Sequence, residues 1–478
     1  MTLPPPPPAL TLIGLDVGTT TTSLIAASAQ WTKNCVTGRN ELGHVESIFR
    51  PEPVFTPFRG ETLDVDAIDR QLEGWLAEAR INPGSISAGG ALVTGLAARS
   101  ANSKAVARLV RGRFREAVVA ATDDPCLESW LAFMGNALSL SRAEPDRPFI
   151  NLDIGGGTTN IALGIGGEVK SCGCYFVGAR HVQVEPGTYR VQSLSPFGRA
   201  ALLDLNIDTA AGRDLARGDL AALLDYYIAL LEAVAAGRRL PPGAAAPLHC
   251  QAEFLRPCGN RKPVITLSGG VGELAYRHAA GEPMPPPTAF GDLGIDLALR
   301  LCESPLLGAN LKSHVPSGLG RATVCGLALH GTEVSGPTLY LPKPEILPLI
   351  DVPILGAIGQ STSDSELVAL FALAQRAGTG AALRVEMPEI NTPTAKAFGG
   401  RLARQFQERP FPASRPLVLL APDNFGKTLG QYATCWGRIE TTLVVIDEIP
   451  GRRAQFATIG KPHNGLIPIS FHGLDAQQ

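Results

Sequence analysis

The sequence is poor in the features that mark several large classes of protein. Its 42 basic and 44 acidic side chains leave a net charge of −2, which gives no electrostatic case for nucleic-acid binding. No apolar run approaches the roughly 18 residues that a membrane helix needs. The start, Met1-Thr2-Leu3 followed by five prolines, lacks the basic residues of a signal peptide. We therefore expect no nucleic-acid partner and no membrane partner.

Cysteine and histidine are present without the spacings that build disulfides or metal sites. None of the nine cysteines forms a Cys-x-x-Cys pair, and the eight histidines show no metal-ligand spacing. Cys172 and Cys174 are the one close pair, and we interpret them as two reduced thiols on a strand. This usage predicts a reducing compartment and a cytoplasmic location. An apolar content of 45% is typical of a folded chain.

The most informative stretch that is present runs from Asn151 to Asn160, Asn-Leu-Asp-Ile-Gly-Gly-Gly-Thr-Thr-Asn, between apolar segments. It predicts a hairpin whose glycine backbone can place N–H groups against an anion. Asp153 would face the same anion, which requires a cation between them. Mg²⁺ shares itself between carboxylate and phosphate oxygens. The stretch therefore indicates a magnesium–nucleotide site, although an ordinary tight hairpin would read the same way in isolation.

A second copy of this pattern lies near the N-terminus, in Leu-Asp-Val-Gly-Thr-Thr-Thr-Thr at 15–22. Asp16 aligns with Asp153, and Gly18 aligns with Gly155. The repeat predicts two similar hairpins that face each other and hold a polyphosphate from both sides, one in each half of the chain. A third motif, Ser-Gly-Gly-Val-Gly-Glu at 268–273, follows a short β-branched strand, and Glu273 is placed to reach a ribose hydroxyl.

In this order the three motifs resemble those of the actin/Hsp70/sugar-kinase ATPase superfamily. Together with Asp-Asn-Phe-Gly-Lys-Thr-Leu-Gly at 423–430, they resemble the ethanolamine ammonia-lyase reactivating factors (EutA family) from about residue 12 to about residue 470. The resemblance implies an α/β protein with duplicated actin-like (ribonuclease H-like) ATPase domains and an extra C-terminal α/β domain. It also implies ATP in the cleft between the duplicated domains.

The residues expected at the nucleotide fall in all three motifs. The ATP-binding residues would be Gly18, Thr19, Thr20, Thr21, Gly155, Gly156, Gly157, Thr158, Ser268, Gly269, Gly270, Gly272 and Glu273. Asp16 and Asp153 would be catalytic and would hold Mg²⁺ through water. The chain has no Walker A lysine, as expected for this class. Phe-Gly-Lys-Thr at 425–428 resembles the end of a P-loop, but the upstream glycine is missing, so we predict no second nucleotide site there.

A helix expected at 128–140 carries the remaining candidate residues. Glu128 at its start is interpreted as a partner of the helix dipole, and the alternative is a carboxylate that orients water for ATP hydrolysis. In the superfamily this helix crosses a counterpart closely, and Gly135 fits that role. We expect the counterpart at 321–328, where Gly326 fits but Ala328 replaces a family glycine and would widen the crossing.

The sequence divides into a proline-rich tail (1–11), a first ATPase domain (12–147), a second (148–335) and an additional α/β domain (336–478). In the last part we expect strands at 339–341, 352–358, 383–387, 417–421 and 443–446. Helices are expected at 365–377 and 394–408, with a β-rich terminal unit over 447–462.

Three functions are compatible with these motifs. The resemblance implies an ATP-dependent, chaperone-like factor whose protein partner is ethanolamine ammonia-lyase, in which it drives exchange of damaged cobalamin for intact coenzyme. This chain has no Asp-x-His-x-x-Gly motif, so cobalamin would enter only with the partner. The alternatives are a small-molecule (sugar or acid) kinase and a non-catalytic actin-like scaffold. The family's link to ethanolamine catabolism also suggests association with a bacterial microcompartment, and a homodimer would be compatible with it.

Overall fold

The computed structural model describes residues 9–33, 40–60, 62–114, 119–243, 245–256, 261–387, 391–462 and 465–477. Most of the predicted proline-rich tail lies outside these ranges. The first strand begins at Leu10, inside the segment assigned to that tail. Three larger sheets organise the described chain, two in the first 330 residues and one in the remainder.

The first sheet has the strand order β3-β2-β1-β7-β8, with β4 paired to β2 and a separate β5–β6 hairpin. Its strands are β1 (Leu10–Val17), β2 (Thr21–Lys33), β3 (Asn40–Phe49), β4 (Val54–Phe55), β5 (Phe58–Arg59), β6 (Thr62–Leu63), β7 (Ile86–Val93) and β8 (Val119–Thr122). The helices are α1 (Val65–Glu78), α2 (Gly95–Ala98), α3 (Ser103–Phe114), α4 (Pro125–Asn136) and α5 (Leu138–Ala143). Ile68, Leu72 and Trp75 of α1 recur at helical spacing and bury one face of it.

The second sheet has the order β14-β11-β10-β9-β15. Its strands, with the separate β12–β13 pair, are β9 (Pro148–Ile154), β10 (Thr159–Ile165), β11 (Glu168–Tyr175), β12 (Val182–Val184), β13 (Val191–Leu194), β14 (Cys250–Ala252) and β15 (Val264–Ser268). The accompanying helices are α6 (Pro196–Asp204), α7 (Arg217–Ala236), α8 (Gly269–Ala279), α9 (Gly294–Glu303) and α10 (Ala322–His330).

The two sheets repeat one topology. In the first, β1 pairs antiparallel with β2 and parallel with β7. In the second, β9 pairs antiparallel with β10 and parallel with β15. The tight turn between β1 and β2 therefore corresponds to the turn between β9 and β10. This confirms the duplicated actin-like fold, in which each half presents one glycine-containing turn at the same edge of its sheet.

Helices α4 and α10 cross at two glycines. A Cβ added at Gly135 of α4 would lie 1.9 Å from the carbonyl oxygen of Ala322. A Cβ added at Gly326 of α10 would lie 2.0 Å from that of Leu131. The predicted close crossing is therefore present. Ala328 was expected to widen this crossing. Its methyl group faces Gly14 of β1 instead and lies outside the contact between the two helices.

The third sheet has the order β16-β22-β21-β17-β18-β19-β20, in which the last four strands are mutually parallel. Its strands are β16 (Glu333–Val334), β17 (Leu349–Ile358), β18 (Ala381–Val385), β19 (Leu417–Leu420), β20 (Leu443–Ile446), β21 (Ala454–Ile459) and β22 (Pro468–Leu474). The helices are α11 (Asp364–Ala374), α12 (Thr392–Glu408) and α13 (Gly426–Ala433).

Alternate residues of this sheet face different partners, as the period of two in a strand requires. Leu419 and Val445 pack with the helices α11 to α13. Val418 and Val444 point the other way and share a buried cluster with Trp130 of α4. The C-terminal sheet therefore rests directly on the helix that crosses α10.

Several element predictions differ from the structure. The helix expected at 128–140 begins earlier, at Pro125, because Asp124 caps it by accepting a 3.1 Å hydrogen bond from the backbone N–H of Leu127. The segment 339–341 is no strand and contributes one isolated bridge between Tyr340 and Val445. Helix α13 was not predicted. The division into units at 147 and 335 stays a prediction.

The two thiols predicted on a strand lie on β11. Cys172 and Cys174 are both buried there, and neither takes part in a disulfide bond. Within the described ranges, every helix is too short or too polar to cross a bilayer.

Candidate functional site

The two aspartate-containing hairpins have matching turns. Gly18 donates a 2.9 Å backbone hydrogen bond to Thr21, and Gly155 donates one of 2.9 Å to Thr158. Each turn therefore closes in the same way just after its aspartate, Asp16 or Asp153. The internal repeat seen in the sequence is a repeat in geometry.

Both turns open into one cavity of about 480 Å³ between the two halves. Its walls include most of the predicted residues: Asp16, Gly18, Thr19, Thr20, Thr21, Glu128, Asp153, Gly155, Gly156, Gly157, Thr158, Gly269, Gly270 and Glu273. Residues outside the predicted set also line the cavity, among them Thr94, Asn160, Arg277, Phe290, Asp292, Gly320, Arg321 and Thr323. The volume lies in the range of small-molecule sites.

Neighbouring hydroxyl groups hold the two aspartates in position. Thr94 donates a 3.0 Å hydrogen bond to Oδ1 of Asp16. Asp153 accepts from Ser268 at 2.6 Å through Oδ1 and from Thr323 at 3.2 Å through Oδ2. Ser268 belongs to β15 and Thr323 belongs to the crossing helix α10. The orientation of Asp153 therefore depends on two elements that are distant from it in sequence.

Three carboxyl groups, those of Asp16, Asp153 and Glu128, line the same cavity. Burial raises the pKa of Asp16 from 3.8 to about 7, against a hydrogen bond from Thr94 and with help from the charge of Asp153. Burial also raises the pKa of Asp153. The pKa of Glu128 rises well above its ordinary value, first through burial and then through the charges of Asp16 and Asp153. A cation between them would favour the ionised forms of all three.

Glu128 points into the cavity from the first turn of α4. The residue is only 9% exposed, and the Asn160 side chain hydrogen-bonds to it. Asp124, which caps α4, already fills the place of a dipole partner. This geometry favours the alternative interpretation of Glu128, a carboxylate able to orient water.

The glycines of the second hairpin form a cradle that side chains would fill. A Cβ at Gly156 would lie 2.1 Å from Oγ1 of Thr20, and a Cβ at Gly157 would lie 2.8 Å from Oγ1 of Thr19. The Thr20 hydroxyl is buried and has no hydrogen-bond partner among the described residues. A buried unpaired hydroxyl beside a bare backbone suits a phosphate oxygen. The residues present therefore fit a magnesium–nucleotide.

Ser268 and Gly272 of the third motif lie behind the cavity wall. Ser268 is fully buried, and its hydroxyl donates a hydrogen bond to Asp153. A Cβ at Gly272 would meet the backbone of Leu267 at 3.1 Å, so this glycine serves the packing of α8 on β15. Both were predicted as ATP contacts from the motif alone, which does not reveal which of its members face inward.

Several contacts join the two halves beside the phosphate hairpins. The side chain of Leu96 packs against Gly157, and the backbone N–H of Leu96 donates a 2.7 Å hydrogen bond to Oγ1 of Thr19. The guanidinium of Arg99 lies 4.5 Å from the ring centre of Phe176, across the two halves.

Comparison with known proteins identifies the family of this chain. The sequence profile of the ethanolamine utilisation protein EutA matches residues 9–474. The chain is similar to the ethanolamine ammonia-lyase reactivase EutA of Salmonella typhimurium (strain LT2), with 31% identity and coverage of 97% of both chains. The Escherichia coli (strain K12) protein of the same name is 29% identical, again over 97% of both.

Among solved structures, an exopolyphosphatase-like protein is 13% identical and covers 67% of this chain and 97% of its own, with a TM-score of 0.38. That likeness is too distant to bear on function. The profile match spans nearly the whole chain and includes all three glycine motifs. The chain belongs to the EutA family of ethanolamine utilisation proteins.

Proposed function

We propose that this protein is an ATPase that reactivates ethanolamine ammonia-lyase. The observation that carries the proposal is the cavity in which Asp16, Asp153 and Glu128 lie buried beside two glycine turns. Three carboxyl groups in one site call for a divalent cation, and the bare backbone of the turns suits phosphate groups. The reactivase names of the relatives supply the partner.

The chain's own residues would then have distinct tasks. The backbone of the two turns and the Thr20 hydroxyl hold phosphate oxygens, and Asp16 and Asp153 hold the hydrated ion. A bound Mg²⁺ supplies neutralisation of the charge that develops on the phosphate. Near that positive charge the Glu128 carboxylate is stabilised in its ionised form, so it can orient a water molecule and accept its proton.

Hydrolysis would be coupled to movement through the crossing helices. Glu128 belongs to α4, and Thr323, which donates to Asp153, belongs to α10. Both helices therefore touch the site directly, and they are locked together at Gly135 and Gly326. A change in the phosphate site would shift this crossing, and Trp130 of α4 would pass the shift to the C-terminal sheet.

The contacts beside Gly157 disfavour the small-molecule kinase. A phosphate acceptor must lie beyond the terminal phosphate, near Gly157. Leu96 fills that position, and Arg99 covers Phe176 beside it. A protein partner that grips the outside of the molecule needs no such space.

On the partner, the released energy would loosen the lyase so that damaged cobalamin leaves and intact adenosylcobalamin enters. Cobalamin would be bound by the lyase and not by this chain. We also propose a cytoplasmic location, association with a bacterial microcompartment and formation of a homodimer.

The decisive experiment is reactivation in a defined mixture. Ethanolamine ammonia-lyase is inactivated with hydroxocobalamin, and this protein, Mg-ATP and adenosylcobalamin are added while acetaldehyde release is followed. We expect recovery that requires ATP and is lost with Asp153→Ala. Asp208→Ala, at an aspartate whose side chain is 94% exposed, is the matched control and should behave as the wild type.

Two outcomes would overturn the proposal. ATP turnover that a sugar or acid accelerates without any protein partner would indicate a kinase. Tight ATP binding without turnover, together with visible polymers, would indicate a scaffold.

A further inference from the structure

A second cluster of oxygen ligands lies far from the three motifs, at the carboxyl ends of β19 and β20. Asp447 and Glu448 directly follow β20, and Asn424 lies in the loop after β19. Thr338 reaches them from the segment that leaves α10 and enters the C-terminal sheet. In parallel α/β sheets this edge is where ligands bind, because several strand ends and their loops converge there.

The cluster has more oxygen acceptors than protons to share. The Thr338 hydroxyl contacts both Oδ1 of Asn424, at 2.5 Å, and Oδ2 of Asp447. It has one proton and can donate to only one of them. The Asn424 amide cannot be turned to help, because its nitrogen donates a 2.7 Å hydrogen bond to Oε1 of Glu448. Three oxygens therefore crowd together around a single proton.

Two further carboxylate oxygens are buried and unpaired. Oδ1 of Asp447 and Oε2 of Glu448 have no hydrogen-bond partner among the described residues. Asp447 is fully buried, and Glu448 is 9% exposed. Both carboxyl groups converge on Gly336, where an added Cβ would lie 2.6 Å from Oδ1 of Asp447 and 2.8 Å from Cδ of Glu448. Leaving such oxygens buried without a partner is costly.

We propose that Asp447, Glu448, Asn424 and Thr338 bind a divalent cation with a preference for oxygen ligands, Mg²⁺ or Ca²⁺. Such a cation takes carboxylate, amide and hydroxyl oxygens together and completes its shell with water. The cluster contains no histidine and no cysteine, so it does not favour the softer metals that prefer nitrogen and sulfur ligands.

The competing explanation is that Asp447 carries a proton and simply caps α13. Its Oδ2 accepts a 3.1 Å hydrogen bond from the backbone N–H of Gly426. Burial raises the pKa of Asp447, the Thr338 and Gly426 hydrogen bonds lower it, and the Glu448 charge raises it. One proton on Asp447 would relieve the crowding at Thr338, but Oε2 of Glu448 would still lack a partner. A cation satisfies both carboxyl groups at once.

The proposed cation site lies where the segment after α10 meets the C-terminal sheet. Gly336 and Thr338 follow α10 closely in the chain, and the Gly336 N–H donates a 2.8 Å hydrogen bond to the carbonyl of Asp447. A cation here would connect the segment that follows α10 to the edge of the C-terminal sheet. Movement of α10 would then be transmitted to the sheet through the bonds to the cation.

The test uses the full chain without nucleotide and carrying Asp16→Asn and Asp153→Asn, so that the first cavity contributes no carboxylate pair. Binding of Ca²⁺ and Mg²⁺ is measured by calorimetry, and Mn²⁺ by electron paramagnetic resonance. We expect one cation per chain and a higher melting temperature on binding. Glu448→Gln should weaken binding at least tenfold, and Glu440→Gln, at an exposed acid of the same domain, should not.

Asp447→Asn serves as the second variant, and circular dichroism confirms that each variant is folded. It should abolish cation binding. Absence of bound cation in the parent protein would overturn the proposal. Unchanged binding in both Asp447→Asn and Glu448→Gln would overturn it as well, and an Asp447→Asn protein that is more stable at every cation concentration would establish the protonated cap.

Discussion

The Ser268 hydroxyl donates a 2.6 Å hydrogen bond to Oδ1 of Asp153 while it accepts one of 2.9 Å from the Asn151 side chain. Asn151 in turn accepts at 2.7 Å from Asn136, the last residue of α4. A buried chain of side chains therefore runs from the end of the crossing helix to the carboxylate at the phosphate turn. Within this chain of side chains, Ser268 is the residue that contacts Asp153 and orients its carboxylate.

Ser268→Ala should lower ATP turnover by about 10- to 100-fold, because a hydrogen bond to a charged group contributes about 1.5–3 kcal/mol. The Mg²⁺ concentration for half-maximal turnover should rise, and nucleotide binding should persist. Ser171→Ala is the control, since Ser171 is equally buried but its hydroxyl has no partner in the described structure. Equal turnover in the two variants would refute a positioning role for Ser268.

Gly135→Ala should destabilise the protein by about 1–3 kcal/mol or more, because its methyl group would collide with the Ala322 carbonyl oxygen and force the helices apart. ATP turnover should fall with it. Gly112→Ala is the control in helix α3, where an added Cβ meets nothing within 4 Å. That change should stabilise by about 0.5–1 kcal/mol. Urea unfolding of both variants would measure the changes in the free energy of unfolding. The two changes must have opposite signs.

Without nucleotide, the contribution of Asp16 to the free energy of unfolding should fall as the pH rises from about 4 to about 7. The pKa of Asp16 is raised from 3.8 to about 7 in the folded protein, so the folded state holds this proton more tightly than the unfolded state. The advantage exists at low pH and is lost as the pH passes through the folded pKa. Asp153 and Glu128 act in the same direction.

Asp16→Asn removes this titration. Its melting temperature should exceed that of the wild type at pH 8, and the difference should shrink at pH 5. Mg-ATP should narrow the difference at pH 8 by stabilising only the wild type. A difference that does not vary with pH would contradict the assignment.

Arg452→Ala should separate ATP turnover from reactivation. The Arg452 guanidinium lies 4.1 Å from the ring centre of Trp130 on α4, and it also pairs with Glu333 of β16. We expect turnover within about twofold of the wild type, because neither contact reaches the cavity, and lyase reactivation reduced about tenfold. Arg453→Ala, at the exposed neighbour, is the control. If reactivation falls only in proportion to turnover, this contact does not carry the coupling.

Features set by local sequence were the ones that could be predicted. The two hairpins are fixed by Asp16, Asp153 and the glycines beside them, so the repeat alone indicated their geometry. Asp124 followed by Pro125 is a readable helix start, a capping side chain before a proline, and using it would have placed α4 correctly. The resemblance of the motifs supplied the family.

Features set by contacts between distant segments could not be predicted. Glu128 lies inward because α4 crosses α10, and nothing near Glu128 encodes that crossing. Thr323 and Ser268 orient Asp153 from other elements, so their roles appear only when the sheet is assembled. Helix α13 begins at Gly426 without a cap from its own segment, because Asp447 supplies the hydrogen bond from the end of β20.

The backbone at Ala476 and Gln477 is hydrogen-bonded to strand β11 of the second sheet. The Cys172 N–H donates a 2.7 Å hydrogen bond to the Ala476 carbonyl, and Ser171 forms a bridge with Gln477. During synthesis on the ribosome, this part of β11 therefore stays unpaired until Ala476 and Gln477 have been synthesised. Early intermediates would expose this strand edge to other chains.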